Sequence, residues 1–282
     1  MPHHHPSLIH PTALVDPKAQ LGEGTRVGPY AIIGPEVVLG EECEVRAHAV
    51  LDGSLRMGSN NQVGYGAIIG AEPQDTRWAG AKSHVEIGSH NIFREYVTIH
   101  RGTEAESATR IGSYNLLMAG SHVAHNCEIG SHVTLVNNVL LAGRVTIEDY
   151  AFLGGGAAVH QGVRIGRLAM VRGLTRLGQD VPPFTMAVAT NTVCGLNRVG
   201  LKRQGVSLHM RRLLGEVYET FYHLGFNRTQ ALQQILTHED WQKNELARHF
   251  CDFVAQTKRG LCRAVRAGIT RARGDESISE EE

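Results

Sequence analysis

From Ile9 onward an aliphatic residue recurs at every sixth position, and this period restricts the possible folds more than any other feature of the chain. The register runs unbroken through Val15, Leu21, Val27, Ile33, Leu39, Val45, Leu51, Met57, Val63 and Ile69. It lapses through "DTRWAGAKSHVE", resumes at Ile87, Phe93 and Ile99, lapses again through "GTEAESAT", and then holds by sixes from Ile111 to Leu177. Six is neither the period of a helix nor the alternation of an ordinary strand. A hexapeptide repeat belongs to a parallel β-helix, in which each short strand turns one aliphatic side chain inward and successive coils stack. Glycine often follows the aliphatic residue, as at Gly22, Gly34, Gly112, Gly130 and Gly166, and is expected there for turns with unusual backbone angles.

The repeat resembles that of the hexapeptide-repeat acyltransferases, which implies a single-stranded left-handed parallel β-helix with three hexads in each triangular coil. A step of eighteen residues then moves up one coil, and residues so spaced share a column at about 5 Å separation. One column holds His125, Gly143 and Gln161, another Asn137, Gly155 and Gly173, and a third Ala124, Ala142 and His160. His125, His160 and Gln161 therefore converge, with His122 on the adjoining part of the same coil.

After Asn197 the six-residue period stops and helical spacing begins. Met210, Leu213, Leu214, Val217, Phe221 and Leu224 follow one another at helical intervals, with Gly225 placed to end the helix. The stretches "TQALQQIL" and "WQKNELARHFCDFVAQTKRGLCRAV" continue the pattern, and their apolar faces are expected to pack on the solenoid end or a neighbouring subunit. The expected organisation is a β-helix domain over 1–197, a C-terminal α-helical domain over 198–267 and a disordered acidic tail over 268–282. The HHH run near the start is given no role.

Lys plus Arg and Asp plus Glu both number 28, so net charge offers nothing to nucleic acid. No stretch approaches the roughly 20 apolar residues of a membrane span, and the start lacks the apolar core of a signal peptide. The five cysteines are scattered, with neither a disulfide framework nor paired zinc-site spacing. A cytoplasmic protein without an integral membrane segment is expected.

The residues alone leave three readings for "SHVAHNCEIG". His100, His122, His125 and His160 offer metal ligands, but the spacing of three between His122 and His125 departs from the five of the gamma carbonic anhydrases. Polar decoration on a solenoid face would explain a solitary histidine better than this cluster with Gln161. General base catalysis is the third reading, since a neutral imidazole suits pH 7 and Gly143, in the column of His125, offers a backbone N–H to an oxyanion. No serine or cysteine with a paired base is evident, so a covalent acyl-enzyme is not expected.

The ordered motifs "IGAEPQD", "VTIHRGT", "NLLMAGSHVAHNCEIG", "LAGRVTIEDYAFLGGGAAVHQ", "QDVPPF" and "GLNRVGLKRQG" resemble those of the acyl-[acyl-carrier-protein]:UDP-N-acetylglucosamine O-acyltransferases. The resemblance covers residues 9 to about 262. It implies a homotrimer with sites between subunits, which moves an (R)-3-hydroxyacyl group from acyl carrier protein to the sugar 3-hydroxyl in the first step of lipid A biosynthesis. No metal or organic cofactor is implied. His125 matches the family's general base and Gly143 the oxyanion donor. Gln74, Asp75, His122, His160 and Gln161 match the substrate cleft, Gly173 the position that limits acyl length, and Asn197 and Arg203 the nucleotide end. Asn197 as a turn cap and Arg203 as a surface ion-pair partner remain the structural alternatives.

Four features depart from the family pattern. Asn126 stands where aspartate is usual, which keeps an orienting hydrogen bond but removes the carboxylate that supports an imidazolium. Arg144 stands for a histidine, Val199 for a glutamate, and "VATNTVCG" is a shortened segment. They leave open another sugar nucleotide or an amine as acceptor, and a weakly active or noncatalytic trimer. Arg164, Arg167, Arg172, Arg176, Lys202, Arg203, Arg211 and Arg212 are expected to form a basic surface for the acidic carrier protein.

Overall fold

The computed structural model describes residues 8–265. Strands of two to four residues recur up to Leu177 and stack in parallel into three sheets that form the faces of a left-handed β-helix. A first sheet contains Leu116–Leu117 and Thr134–Leu135, a second His122–Val123 and Leu140–Leu141, and a third Glu128–Ile129 and Thr146–Ile147. Where the repeat is unbroken, His122 lies beside Leu140 and Leu140 beside Ala158, the eighteen-residue step. The hexad aliphatics from Val27 to Leu177 are buried and line the prism axis. In the first described coil Ile9 remains 44% exposed.

The glycine expectation is corrected. The glycines after the aliphatics do not carry the unusual angles; a β-carbon at Gly22 or Gly112 would collide with the backbone of Gly40 or Gly130 one coil up. Coil stacking, not turn geometry, excludes side chains there. The left-handed residue comes two positions later and is usually not glycine, as at Tyr114, His132 and Leu168 with φ of 61°, 59° and 55°. Such angles cost roughly 1 kcal/mol each. Along one corner ring stacking offsets that cost, because His90, Tyr114, His132 and Tyr150 form a continuous column with centroids 4.7, 5.0 and 4.6 Å apart.

The two lapses in the period are insertions at a single corner. They follow the second-sheet strands Ile68–Ala71 and Thr98–His100 and lead to the third-sheet strands His84–Ile87 and Ala108–Ile111. The partner step lengthens accordingly, so Ile68 pairs with Thr98 and Thr98 with His122. Arg101 ties the insertions together: its guanidinium donates to the Gly70 carbonyl at 3.0 Å and lies 5.3 Å over the Trp78 ring. His125 and Gly143 occupy the same corner higher up.

The solenoid ends earlier than the expected boundary at 197. Pro182 and Pro183 have no N–H to give a ladder, and Thr185–Val188 and Thr192–Leu196 form an antiparallel hairpin on the first sheet. The helices are α1 Arg198–Arg203, α2 Leu208–Tyr222, α3 Arg228–Thr237, α4 Glu239–Lys243 and α5 Glu245–Ala255. Ser207, Asn227 and Asn244 cap α2, α3 and α5 through their side chains. Leu214 and Val217 of α2 and Phe250 and Val254 of α5 pack with Leu168 and Phe184 on the solenoid end.

The helical region does not stand apart as 198–267. After α5 the chain returns, Arg263–Ala264 pair with Thr192–Val193, and the buried Asp180 carboxylate accepts from the Thr257 hydroxyl at 2.8 Å and the Arg164 N–H at 2.9 Å. The tail over 268–282 and the HHH run lie outside the described residues. No described helix is long and apolar enough to cross a membrane, and the five cysteines are unpaired.

Candidate active site

The corner with the insertions carries a cleft of about 730 Å³, lined by Gln74, His122, His125, Gly143, His160 and Gln161 among others. His125 lies at its floor, 6% exposed. Its Nδ1 is 2.9 Å from Asn126 Oδ1, and the same oxygen accepts the Thr103 N–H at 3.1 Å. The backbone donor fixes which end of the amide is oxygen, so Nδ1 must carry the proton. Nε2 is left with its lone pair toward the cleft, the form a general base requires. Asn126 is left-handed at φ 59°, a conformation asparagine tolerates well.

Asp75 reaches this floor from the first insertion. Its Oδ2 stands 3.7 Å from His125 Nε2, beyond hydrogen-bond distance. Arg77, which holds both carboxylate oxygens at 3.1 and 2.8 Å and adds its backbone N–H, keeps the Asp75 carboxyl well below the usual carboxylate range. The Gly143 N–H has no acceptor among the described residues, and His125 fills the space where a side chain at 143 would stand.

Behind His125, burial first and then the charges of His122, His125 and Arg101 push His100 down to about 4, so it is neutral near pH 7. Burial also lowers His122, whose Nδ1 is 2.7 Å from the Thr98 hydroxyl. His100 and His122 meet edge to face at 5.1 Å, and among the described residues no three His, Cys, Asp or Glu side chains converge as a metal would require. His160 and Gln161 line the cleft one coil above Gly143.

Three sequence candidates are not in this cleft within one chain. Gly173 lies exposed against Gly155 at the corner of the first and second sheets. Asn197 is buried and fully engaged, its Oδ1 accepting the Gly200 N–H at 2.9 Å as the cap of α1 and its amide donating to the Leu168 carbonyl at 2.9 Å. Arg203 is exposed in the last turn of α1.

The expected basic surface also divides. Arg164 is on the third sheet, stacked 3.9 Å over Phe253, whereas Arg176 is on the second sheet and lines the cleft. Arg211 and Arg212 line a separate cavity of about 1090 Å³ between α1, α2 and the hairpin. Arg144 does not line the cleft and pairs with Glu104 of the second insertion.

Sequence reasoning missed Arg77, Thr103 and Asn191, and gave Arg176 only a docking role. Arg77 stands two residues beyond the quoted "PQD", and its value appears only once its fork closes on Asp75. Thr103 acts through its backbone, which leaves no residue-type signal. Asn191, in the shortened segment, accepts the Gly178 N–H at 2.6 Å and lines the cleft.

Known proteins match the chain along most of its length. A family model described as "Udp N-acetylglucosamine O-acyltransferase; Domain 2" matches residues 180–262, and a bacterial transferase hexapeptide model matches 8–53 and 108–143. The acyl-[acyl-carrier-protein]–UDP-N-acetylglucosamine O-acyltransferase of Janthinobacterium sp. (strain Marseille) is 41% identical over 261 residues, 91% of this chain and 100% of the relative. That of Gloeothece citriformis is 44% identical over 209 residues, 74% of this chain and 75% of the relative. Among solved structures, the Francisella novicida UDP-N-acetylglucosamine acyltransferase superposes with a TM-score of 0.87 at 37% identity, covering 91% of this chain and 94% of that one. The Campylobacter jejuni enzyme gives 0.83 at 31% identity over 90% and 99% of the respective chains. A solenoid with both insertions at the His125 corner, matched over nine-tenths of its length by such relatives, belongs to the acyl-[acyl-carrier-protein]–UDP-N-acetylglucosamine O-acyltransferase family.

Proposed function

We propose that this chain transfers an (R)-3-hydroxyacyl group from acyl carrier protein to the 3-hydroxyl of UDP-N-acetylglucosamine, the first step of lipid A biosynthesis, in the cytoplasm. The observation that carries the mechanism is the Nδ1–H tautomer of His125, locked by Asn126 and Thr103, with Nε2 open to the cleft. As the sugar oxygen attacks the thioester carbonyl, Nε2 takes its proton and the Gly143 N–H donates to the oxyanion. Collapse expels the carrier thiolate, which recovers that proton from the imidazolium. The ionised Asp75 supports the imidazolium in place of the carboxylate that Asn126 lacks. Gln74, His122, His160 and Gln161 contact the substrates, and the acid–base steps require no cofactor.

The functional unit is a homotrimer. The outward columns of two sheets carry exposed apolar side chains, with Leu14, Ile32, Ile68 and Leu140 on the second and Leu8, Ile92 and Phe152 on the first exposed by 37% or more. The third carries a charge ladder of Glu86, Arg110 and Glu128, with the guanidinium 2.8 and 3.0 Å from the two carboxylates. Unlike faces, two carrying apolar patches and one a charge ladder, suit heterologous contacts that close a ring. A neighbouring copy would bring Gly173, Asn197 and Arg203 to the cleft they do not reach within one chain, with Asn197 exchanging its cap.

Incubation of the full-length protein with 3-hydroxyacyl carrier proteins of several chain lengths and UDP-N-acetylglucosamine tests the reaction. Turnover that His125→Ala abolishes supports it. A folded trimer inactive with every chain length would transfer the assignment to another acceptor, with Arg144 the first group to test, or to a noncatalytic trimer.

A further inference from the structure

The structure assigns Arg259 as a positioning residue for His160: by donating to Nδ1 of that imidazole it fixes the neutral tautomer that points an Nε2–H donor into the active cleft. Arg259 lies in the segment after α5, ninety-nine positions from its partner, and its guanidinium nitrogen stands 3.0 Å from His160 Nδ1. A guanidinium has five donors and no acceptor, so this contact exists as a hydrogen bond only if Nδ1 is unprotonated. The Gln161 carbonyl, 3.4 Å from the same nitrogen, would require the opposite tautomer, but at that length it does not compete with the shorter charge-assisted bond. A neutral imidazole with a bare Nδ1 carries its proton on Nε2.

His160 lines the cleft beside Gln161 and Arg176. It thus faces the substrate with the opposite polarity to His125. His125 presents a lone pair at Nε2 and takes a proton; His160 presents N–H and donates a hydrogen bond to an acceptor oxygen of the bound sugar nucleotide. The two histidines receive these roles from different partners, the amide oxygen of Asn126 for one and the guanidinium of Arg259 for the other.

Arg259 is itself held in place by the return of the chain to the solenoid. The Gly260 carbonyl accepts the Asp180 N–H at 2.8 Å, and Cys262 N–H donates to the Asp180 carbonyl at 2.9 Å. On its other side Arg259 borders a smaller hollow of about 430 Å³ with Arg164 and Lys258. The C-terminal segment therefore sets the hydrogen-bond polarity of a cleft residue, a coupling that neither residue reveals alone.

The substrate role of His160 rests on the reaction proposed above; the tautomer does not. The test uses full-length protein labelled with ¹⁵N-histidine, with His160 assigned by difference from His160→Gln, and compares Arg259→Met and Arg259→Lys. In the parent, His160 should show the nitrogen pattern of the Nε2–H tautomer. Arg259→Met should mix the tautomers and lower kcat/KM for the sugar nucleotide about tenfold, mainly through KM, with Tm unchanged. Arg259→Lys, which keeps a donor without an acceptor, should retain the tautomer and most of the activity. An Nδ1–H tautomer in the parent, or a pattern that Arg259→Met leaves unaltered, would overturn the assignment. A correct tautomer response in a protein that neither binds nor acylates UDP-N-acetylglucosamine would instead overturn the proposed reaction.

Discussion

The imidazole of His125 occupies the space that a side chain at Gly143 would need: a β-carbon on Gly143 would overlap Cε1 and Nε2 of the ring. The glycine thus serves as a slot for the base as well as a source of the N–H. Its own φ lies outside the left-handed region, so alanine fits the backbone and displaces only the ring. Gly143→Ala should cut kcat by about a hundredfold or more while changing stability by less than about 1 kcal/mol. Steady-state kinetics alongside urea denaturation checks this; a variant of normal rate would show that the ring has another productive position.

Asn126 sets the tautomer of His125, and glycine is the cleanest replacement because it accepts the left-handed φ of 59° without strain. Asn126→Gly removes the acceptor at Nδ1 and should lower kcat by about tenfold to a hundredfold with little change in KM. Asn126→Asp keeps the acceptor and adds a charge, so its kcat should equal or exceed that of the parent. An unchanged rate would mean that Asp75 already supplies all the charge the imidazolium can use, and a slower aspartate variant would overturn the expectation.

The solenoid was legible because each hexad must bury one aliphatic, a requirement written into residue type at every coil. The column of His125, Gly143 and Gln161 followed from that period by arithmetic. What the insertions supply was not legible from the period: Gln74 and Asp75 were named only through the family resemblance, and Arg77 and Thr103 were not named at all. Asp75 lies fifty positions from His125, and only the fold of a segment without periodicity brings it within 3.7 Å. The reading of glycine as a turn residue failed for a related reason: stacking distance between coils is a tertiary constraint, and local backbone preference does not encode it. Asn197 and Arg203 matched a family motif, but a motif does not show that the first is spent on capping a helix and the second lies exposed outside the cleft.

His100 should make stability depend on acid. Its folded-state value of about 4 lies below the ordinary 6.5, so between these values the unfolded chain binds the extra proton and stability falls as pH drops. The contribution is complete above about 6.5 and lost by up to about 3 kcal/mol near pH 4. His100→Phe removes the titrating group, so its urea-denaturation curve should gain on the parent as pH falls from 7 to 4. Parallel pH profiles for the two proteins would mean that His100 is solvated enough to protonate in place.

Asp180 should hold the C-terminal segment on the solenoid. Its side chain is fully buried and accepts from Thr257 at 2.8 Å and the Arg164 N–H at 2.9 Å, with the Arg164 guanidinium at 3.9 Å. Asp180→Ala strands both donors and leaves the half-buried Arg164 without its carboxylate, which should destabilise the protein by about 3 kcal/mol. Thr257→Val removes one donor and leaves the carboxylate its other partners, so its cost should be nearer 1 kcal/mol. Because the same segment carries Arg259, Asp180→Ala should also loosen His160, and hydrogen exchange at Gly260 to Cys262 should rise more than exchange in the central coils. Equal acceleration throughout would show that Asp180 supports the fold as a whole and does not specifically tether the returning segment.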